Sequence, residues 1–514
     1  MSRVDYVARN AKFAAISQIA LVLANFVVRK VFVVTLGENY LGLSGLFTDI
    51  LSMLSLAELG FGTSVVYSLY KPLAEGDAEK IKSLMRVFRL AYRCVGIFVL
   101  VAGTALTPFL EIFVSEMPAE IPLTEIRWIY VLNVVNSGAS YFFIYRASLL
   151  FADQKKYVET IITTVAKLAA AALQIGILLL TKNYFLYLGI MIVATFGQNF
   201  MVSLQTDRMY PFLKDKTVKK LDSEDKHVLK RNVGANVFHK IGYVAVFSTD
   251  SILMAKFVSV AIVGVYSNYM LVRKALQNVI ELFFVSISAS MGNVNACETQ
   301  EKKYEAYSHI YFFAAWLFGF VCICLMILYN PFIELWLGKD YLLSDVTVFV
   351  IVLNFYMYCM RIPVNNTKEA MGLFWNDRYK PIAEVLINLG ASILLGRTMG
   401  ILGVLLGTLI STATVPFWVE PYVLYRHGLK KKVRQYYLYY FGYLAVTVLA
   451  GGVTGLLCSL APAGIGGFIL KMIFCAVVPN AVYVLVYFRT GEFAYFCGIA
   501  LRMLRKIVKR GESV

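Results

Sequence analysis

Among the basic residues inside otherwise apolar segments of this sequence, six have side chains that are candidates for binding an anion. They are Arg29, Arg146, Lys240, Arg273, Arg361 and Lys368. An ionised group at membrane depth is costly unless it faces water or a partner. Guanidinium groups bind phosphate oxygens bidentately, and ammonium groups act as point charges. The set therefore indicates an anionic substrate, although each side chain has the alternative of reaching the headgroups from near a helix end.

Four carboxylates in the same kind of segment are candidates for a gate or for binding a coupling ion. They are Asp49, Glu58, Asp250 and Glu281. Glu58 and Glu281 fall at nearly equivalent positions of an internal repeat, and they either bind a coupling ion, H+ or Na+, or serve a structural role. By their repeat-related positions, Asp250 is predicted to lie at about the same membrane depth as Arg29, and Asp49 at about the same depth as Arg273. Pairing of these charges across two halves would close an outer gate, whereas pairing within each half is the alternative.

The elements that position these charges are apolar helices. Of the 514 residues, 59% are hydrophobic and 14% aromatic, and the mean hydropathy is +0.67. A spanning helix needs roughly 20 predominantly apolar residues. The sequence predicts an all-α polytopic membrane protein with about 14 transmembrane helices. The predicted spans are 13–36, 41–70, 90–114, 126–150, 158–181, 185–206, 233–256, 261–290, 308–330, 344–373, 381–395, 400–425, 437–460 and 466–488.

The two halves of the chain repeat at an offset of 222 residues. Arg9 and Asn10 open the first repeat and Arg231 and Asn232 the second, each followed by a glycine 32 residues after the asparagine. We therefore predict two six-helix bundles, 1–206 and 233–426, joined by a cytoplasmic linker, 207–232. Helices 13 and 14 occupy 435–488, and 489–514 is a cytoplasmic amphipathic tail. Repeated halves in a bilayer favour a transporter that works by alternating access.

The distribution of charge predicts the orientation. Most of the 49 Lys and Arg residues fall in alternate connections, which places both termini in the cytoplasm by the positive-inside rule. The net charge of +17 then reflects topology and affinity for anionic membrane lipids. A nucleic-acid partner is not expected, because the charge is dispersed over many loops.

Enzymatic chemistry is not expected from this sequence. It contains no Gly-rich phosphate loop ending in Gly-Lys-Ser/Thr, and its outer loops are short for a membrane glycosyltransferase or polymerase. The eight cysteines and four histidines have no spacing typical of a metal site, so neither a metal nor a cofactor is predicted.

Several segments carry a family resemblance in their order and spacing. They are Arg9-Asn10, Leu36-Gly37-Glu38-Asn39-Tyr40-Leu41-Gly42, Gly45-Leu46-Phe47, Leu56-Ala57-Glu58-Leu59-Gly60-Phe61-Gly62 and Tyr70-Lys71-Pro72-Leu73. With them the chain resembles the Wzx-type polysaccharide-biosynthesis flippases of the multidrug/oligosaccharidyl-lipid/polysaccharide exporter (MOP) superfamily, in their Gram-positive bacterial branch.

The resemblance implies two bundles in a V shape, a cationic central cavity and a place in the cytoplasmic membrane. The implied substrate is an undecaprenyl-pyrophosphate-linked oligosaccharide for capsule, exopolysaccharide or cell-wall polymer biosynthesis, with a polysaccharide polymerase or transferases as partners. The alternatives are a lipid II flippase and an ion-coupled small-molecule exporter of the multidrug type.

Overall fold

The computed structural model describes residues 3–55, 61–114, 118–215, 221, 249–373 and 375–511. All regular elements within these ranges are helices, which confirms the predicted all-α class. The first helices are α1 (Arg3–Leu54), α2 (Phe61–Glu75), α3 (Ala78–Ala105), α4 (Leu110–Phe113), α5 (Leu123–Ala152), α6 (Lys156–Thr181) and α7 (Tyr184–Met209).

A second series follows helical residues 249–257. It comprises α8 (Val260–Cys297), α9 (Gln300–Leu337), α10 (Asp345–Ala370), α11 (Lys380–Met399), α12 (Ile401–Thr414), α13 (Pro416–Val423), α14 (Val433–Ser459), α15 (Ile465–Tyr487) and α16 (Gly491–Gly511). A π-helical turn, Leu424–Leu429, follows α13.

Helix α1 contains a backbone break at Gly37, whose φ of 83° and ψ of −178° are not helical. Glycine adopts a positive φ without the steric cost that a side chain imposes. The 52 residues of α1 would extend about 78 Å at 1.5 Å per residue, far more than one bilayer crossing requires. The break falls between the predicted spans 13–36 and 41–70, and therefore separates two membrane segments.

In the described ranges, nine helices are long and apolar enough to cross a membrane, or ten if α3 and the segment after its 43° bend form one span. The predicted spans 41–70 and 233–256 lie partly outside these ranges. Helix α5 coincides with predicted span 126–150 but is not among the nine. It packs against α3 and α7, and a helix covered by neighbouring helices need not be as apolar as one that faces lipid.

The chain divides into two compact units. Unit 1 comprises Met1–Ser267 with Gly396–Val404, and unit 2 comprises Asn268–Leu395 with Leu405–Val514. In unit 1, α3, α5 and α7 surround a buried apolar cluster that includes Phe88, Tyr145 and Leu149. This cluster fixes the ends of three helices that carry charged side chains.

In unit 2, the last helix pair, α14 and α15, packs on α9. Ile323, Ala450 and Tyr483 form the buried centre of this contact, and Trp316 Nε1 donates to Asn480 Oδ1 at 2.8 Å. Helix α16 occupies most of the tail segment 489–514. Its Phe493 ring stacks on Trp316 with a centroid distance of 5.9 Å, so aromatic residues at its start contact protein.

Candidate functional site

Arg29 is a half-buried cation in the middle of the apolar helix α1. Its Nη1 donates to Ser267 Oγ at 2.8 Å, and the rings of Tyr184 and Tyr187 lie close to the guanidinium. These partners are neutral. Within the part of the chain that the structure describes, Arg29 makes no ion pair, so its charge is not balanced by a carboxylate there.

A close helix crossing places Ser267 beside Arg29. A Cβ atom added to Gly42 of α1 would lie 1.9 Å from the carbonyl oxygen of Val260, and one added to Gly264 of α8 would lie 2.4 Å from that of Glu38. No side chain fits at either distance. Glycine at both positions therefore lets the two backbones touch, and Arg29 reaches α8 as a result.

The predicted partner of Arg29, Asp250, lies in helical residues 249–257 and is 6% exposed. In this structure the Arg29 guanidinium donates to Ser267, and the pairing of Arg29 with Asp250 stays a prediction. Asp49 is half-buried in α1. Arg273 belongs to unit 2, and Asp49 to unit 1. Two further predicted site residues, Glu58 and Lys240, lie outside the described residues.

Arg146, near the end of α5, is paired within unit 1. Its Nη1 lies 2.9 Å from Asp207 Oδ2 of α7 and also donates to Ser203 of α7. The guanidinium carbon lies 5.5 Å from the centre of the Tyr145 ring. The side chain thus links α5 to α7, with 21% of its area exposed.

Unit 2 contains a buried network of alternating charges around Glu420 of α13. The carboxylate is fully buried and accepts from Arg361 Nε at 2.9 Å and Nη2 at 2.8 Å, a bidentate pair. Lys380 Nζ lies 2.5 Å from Glu420 Oε1. Arg361 Nη1 also reaches Glu384 Oε1 at 3.3 Å. One carboxylate is thereby held by two cations from different helices.

The network continues to Lys368 at the end of α10. Its Nζ donates to Asp377, whose Oδ2 also lies 3.8 Å from Lys380 Nζ. Three cations thus face three carboxylates, and Arg361 and Lys368 are electrically compensated in this conformation. Their predicted role in binding substrate remains a prediction.

Sequence reasoning missed Asp377, Lys380, Glu384 and Glu420, although a signal for two of them was present. Glu384 and Glu420 are carboxylates inside the predicted spans 381–395 and 400–425, where an isolated anion is as costly as the cation of Arg361. If the acidic residues of these spans had been considered together with the basic ones, the sequence would have indicated ion pairs.

Arg273 and Glu281 both lie on α8, within unit 2. Arg273 is half-buried and Glu281 is exposed. The Glu281 carboxylate accepts from Gln277 Nε2 at 2.8 Å, and the same amide donates to Tyr358 of α10 at 3.0 Å. Among the described residues, no group of three or more His, Cys, Asp or Glu side chains is arranged to hold a metal ion.

The fold is that of polytopic membrane transporters. A multidrug resistance MATE family transporter of the MOP superfamily, in an inward-facing conformation, has a TM-score of 0.62 and 13% identity, with 81% of this chain and 99% of that chain covered. The lipid II flippase MurJ, in an inward closed conformation, has a TM-score of 0.64 and 14% identity, with 93% and 98% covered.

A MOP superfamily transporter from Pyrococcus furiosus, described as having a binding pocket of reverse polarity, has a TM-score of 0.55 and 14% identity, with 84% and 98% covered. No protein-family model and no curated protein matches the chain. This protein is therefore a multi-pass membrane protein with the fold of MOP superfamily transporters.

Proposed function

We propose that this protein is a non-enzymatic flippase that moves an undecaprenyl-pyrophosphate-linked oligosaccharide across the bacterial cytoplasmic membrane by alternating access. The translocated lipid-linked oligosaccharide would supply capsule, exopolysaccharide or cell-wall polymer synthesis. The observation that carries the proposal is Arg29, a half-buried cation in an apolar helix whose described partners are all neutral.

A cation at this depth is stabilised by water or by an anion. A pyrophosphate provides negatively charged oxygens that match the planar donors of guanidinium. The amphipathic phenols of Tyr184 and Tyr187 beside Arg29 are suited to line a path for a sugar headgroup. We place the pyrophosphate at Arg29, and Arg146, Lys240, Arg273, Arg361 and Lys368 remain predicted contacts for other stages of the cycle.

A lipid substrate is supported by the extent of the structural likeness. The lipid II flippase aligns with 93% of this chain and the inward-facing MATE transporter with 81%. The difference, about 62 residues of 514, is comparable in length to the α14–α15 pair. That pair packs on α9 with one face and exposes many apolar side chains on the other, including Leu456 and Leu485. Such a surface suits contact with a polyprenyl tail.

Alternating access requires contacts that separate when the cavity changes side. The crossing of α1 and α8 at Gly42 and Gly264 lies next to the connections predicted to be outside. We propose that this crossing closes the outer side and that Arg29 is exposed to the outside when the crossing opens. Asp49, Glu58, Asp250 and Glu281 are the proposed gating or ion-coupling groups, with H+ or Na+ as the coupling ion.

A lipid II flippase is the second candidate, favoured by the 93% coverage in the comparison with MurJ. Both candidates move a polyprenyl pyrophosphate. They differ in the attached headgroup, which the chemistry at Arg29 does not distinguish.

The test is mass spectrometry of undecaprenyl-linked intermediates, resolved by leaflet, in cells depleted of the protein. We expect a polyprenyl-pyrophosphate oligosaccharide to accumulate on the cytoplasmic face, and wild type but not Arg29→Ala to clear it. Lys30→Ala is the matched control, because Lys30 is an exposed neighbour on the same helix. Accumulation of lipid II would establish the second candidate. An unchanged lipid-linked pool would exclude both candidates and favour a small-molecule exporter.

A further inference from the structure

Unit 1 contains a cavity of about 480 Å³ with a strongly cationic wall. Among the described residues, the charged side chains that line it are Lys82, Arg86, Arg89, Arg146, Lys214 and Asp215. Met85, Tyr145 and Leu213 also line it. The volume falls within the range of about 300–1,000 Å³ that is typical of small-molecule sites.

Three of the cations come from one face of α3. Lys82, Arg86 and Arg89 follow the i, i+4, i+7 spacing that aligns side chains along a helix, and all three line the cavity. Helix α3 begins with Asp77 as its N-cap, whose carboxylate accepts from the backbone N–H of Lys80 at 2.9 Å. This cap sets the start of the helix one turn before the first cation.

The cavity wall is held in place by ion pairs. Lys82, whose side chain is 5% exposed, lies 2.5 Å from Glu79 and 2.9 Å from Asp215. Arg146, which also lines the cavity, is paired with Asp207. These pairs tie α3 to the segment after α7, and α5 to α7, and therefore fix the walls of the cavity.

The other three cations, Arg86, Arg89 and Lys214, are exposed. Among the described residues, their side chains have no ion pair or hydrogen bond. In the described part of the chain, five cations thus face three carboxylates, counting Glu79 and Asp207, and three of the cations have no carboxylate partner. A ligand with phosphate oxygens would be bound by two guanidinium groups and one ammonium group.

We propose that this cavity binds a phosphate group, either on the headgroup of an anionic phospholipid or on a soluble phosphorylated compound. The charge pattern places the cavity at the cytoplasmic end of unit 1, and Arg86 and Arg89 directly precede the predicted span 90–114. This depth corresponds to the headgroup layer, where basic residues attract anionic lipids. The proposal does not depend on the transported substrate.

The experiment measures binding to the full-length, detergent-purified protein by native mass spectrometry. One arm titrates phosphatidylglycerol against phosphatidylcholine, and the other titrates inorganic pyrophosphate. The test variant is Arg86→Gln with Arg89→Gln. Its control is Lys71→Gln with Arg93→Gln, which removes the same charge from two exposed residues outside the cavity wall. Lys214→Gln tests the site from a second segment.

We expect the Arg86/Arg89 variant to weaken binding about tenfold or more, because it removes two guanidinium groups that donate charge-assisted hydrogen bonds to the phosphate. The control should retain wild-type affinity. If the Arg86/Arg89 variant selectively loses binding of phosphatidylglycerol, the site is assigned to a lipid. If it selectively loses binding of pyrophosphate, the site is assigned to a soluble phosphate. Equal weakening in both double variants, or no binding in either arm, would overturn the proposal. Thermal unfolding of each variant checks that the fold is intact.

Discussion

Gly42 and Gly264 are 222 residues apart in the sequence, and each packs against the other's repeat. The carbonyl that Gly42 meets belongs to Val260, four residues before Gly264, and the carbonyl that Gly264 meets belongs to Glu38, four residues before Gly42. The contact, which lies within unit 1, is therefore reciprocal. Ser267, which binds Arg29, is itself the repeat equivalent of Gly45.

The first prediction concerns this crossing. Gly42→Ala should abolish most of the transport activity, because the new methyl group would lie 1.9 Å from the Val260 carbonyl oxygen and force the helices apart. Gly45→Ala is the control, since its Cβ would meet Val263 at an ordinary 3.5 Å. Leaflet-resolved lipid analysis measures activity in both variants. Full activity of the Gly42 variant at normal expression would show that the close contact is dispensable.

The second prediction concerns the buried carboxylate of unit 2. Glu420→Gln should destabilise the protein by about 3–5 kcal/mol, because it leaves the charges of Arg361 and Lys380 without their shared anion. Glu334→Gln should change stability by only about 0–1 kcal/mol, since Glu334 and Lys339 are exposed and 3.7 Å apart. Denaturant unfolding in detergent measures both. Similar values for the two variants would mean that the buried pair contributes no more than an exposed one.

The third prediction separates the pairwise contribution of Lys368 and Asp377. Lys368→Met and Asp377→Asn should each destabilise the protein, because each leaves a buried partner with weaker compensation. The double variant should be less destabilised than the sum of the two single variants. A double-mutant cycle from unfolding curves gives the coupling. Additive effects would indicate that the two side chains act independently.

The fourth prediction explains the Arg9-Asn10 pair at the start of the first repeat. Asn10 Nδ2 donates to the carbonyl of Gln154 at 2.7 Å, and its Oδ1 accepts from the Tyr157 N–H at 2.8 Å. Gln154 has a positive φ of 59°, so the amide braces a tight turn. Asn10→Ala should cost about 1–3 kcal/mol through unsatisfied backbone groups.

Lys12→Ala is its matched control, because Lys12 is exposed two residues further along the same helix. Thermal unfolding compares the two variants. A Tm for Asn10→Ala that equals that of Lys12→Ala would contradict the bracing role.

The helices were largely predictable because their signal is local. Predicted span 158–181 and the observed helix Lys156–Thr181 differ by two residues at one end. The agreement is close because an apolar run and the polar residues that flank it are recognised from neighbouring residues alone. The start of α3 at Ala78 was not predicted, because its first turns carry Lys82 and Arg86 and do not look like membrane sequence. Packing against α5 and the Asp77 cap extend the helix there.

The candidate site was only partly predictable. The sequence identified Arg29 as a cation inside an apolar segment, but its neutral surroundings depend on Ser267, 238 residues away. The sequence also identified Arg361 and Lys368, but it did not identify the carboxylates that compensate their charges. The partner Glu420 is 59 residues from Arg361, a separation across which neither periodicity nor spacing indicates a contact.

The sequence by itself determined that this is a polytopic helical membrane protein and predicted repeated halves, because composition, apolar run length and the 222-residue offset are properties of the chain alone. The tertiary structure decided which of the described buried charges have a carboxylate partner, as Arg361 does, and which have neutral partners, as Arg29 does. The reason is that the free energy of a buried charge depends on groups within a few ångströms, and folding brings those groups from distant parts of the chain.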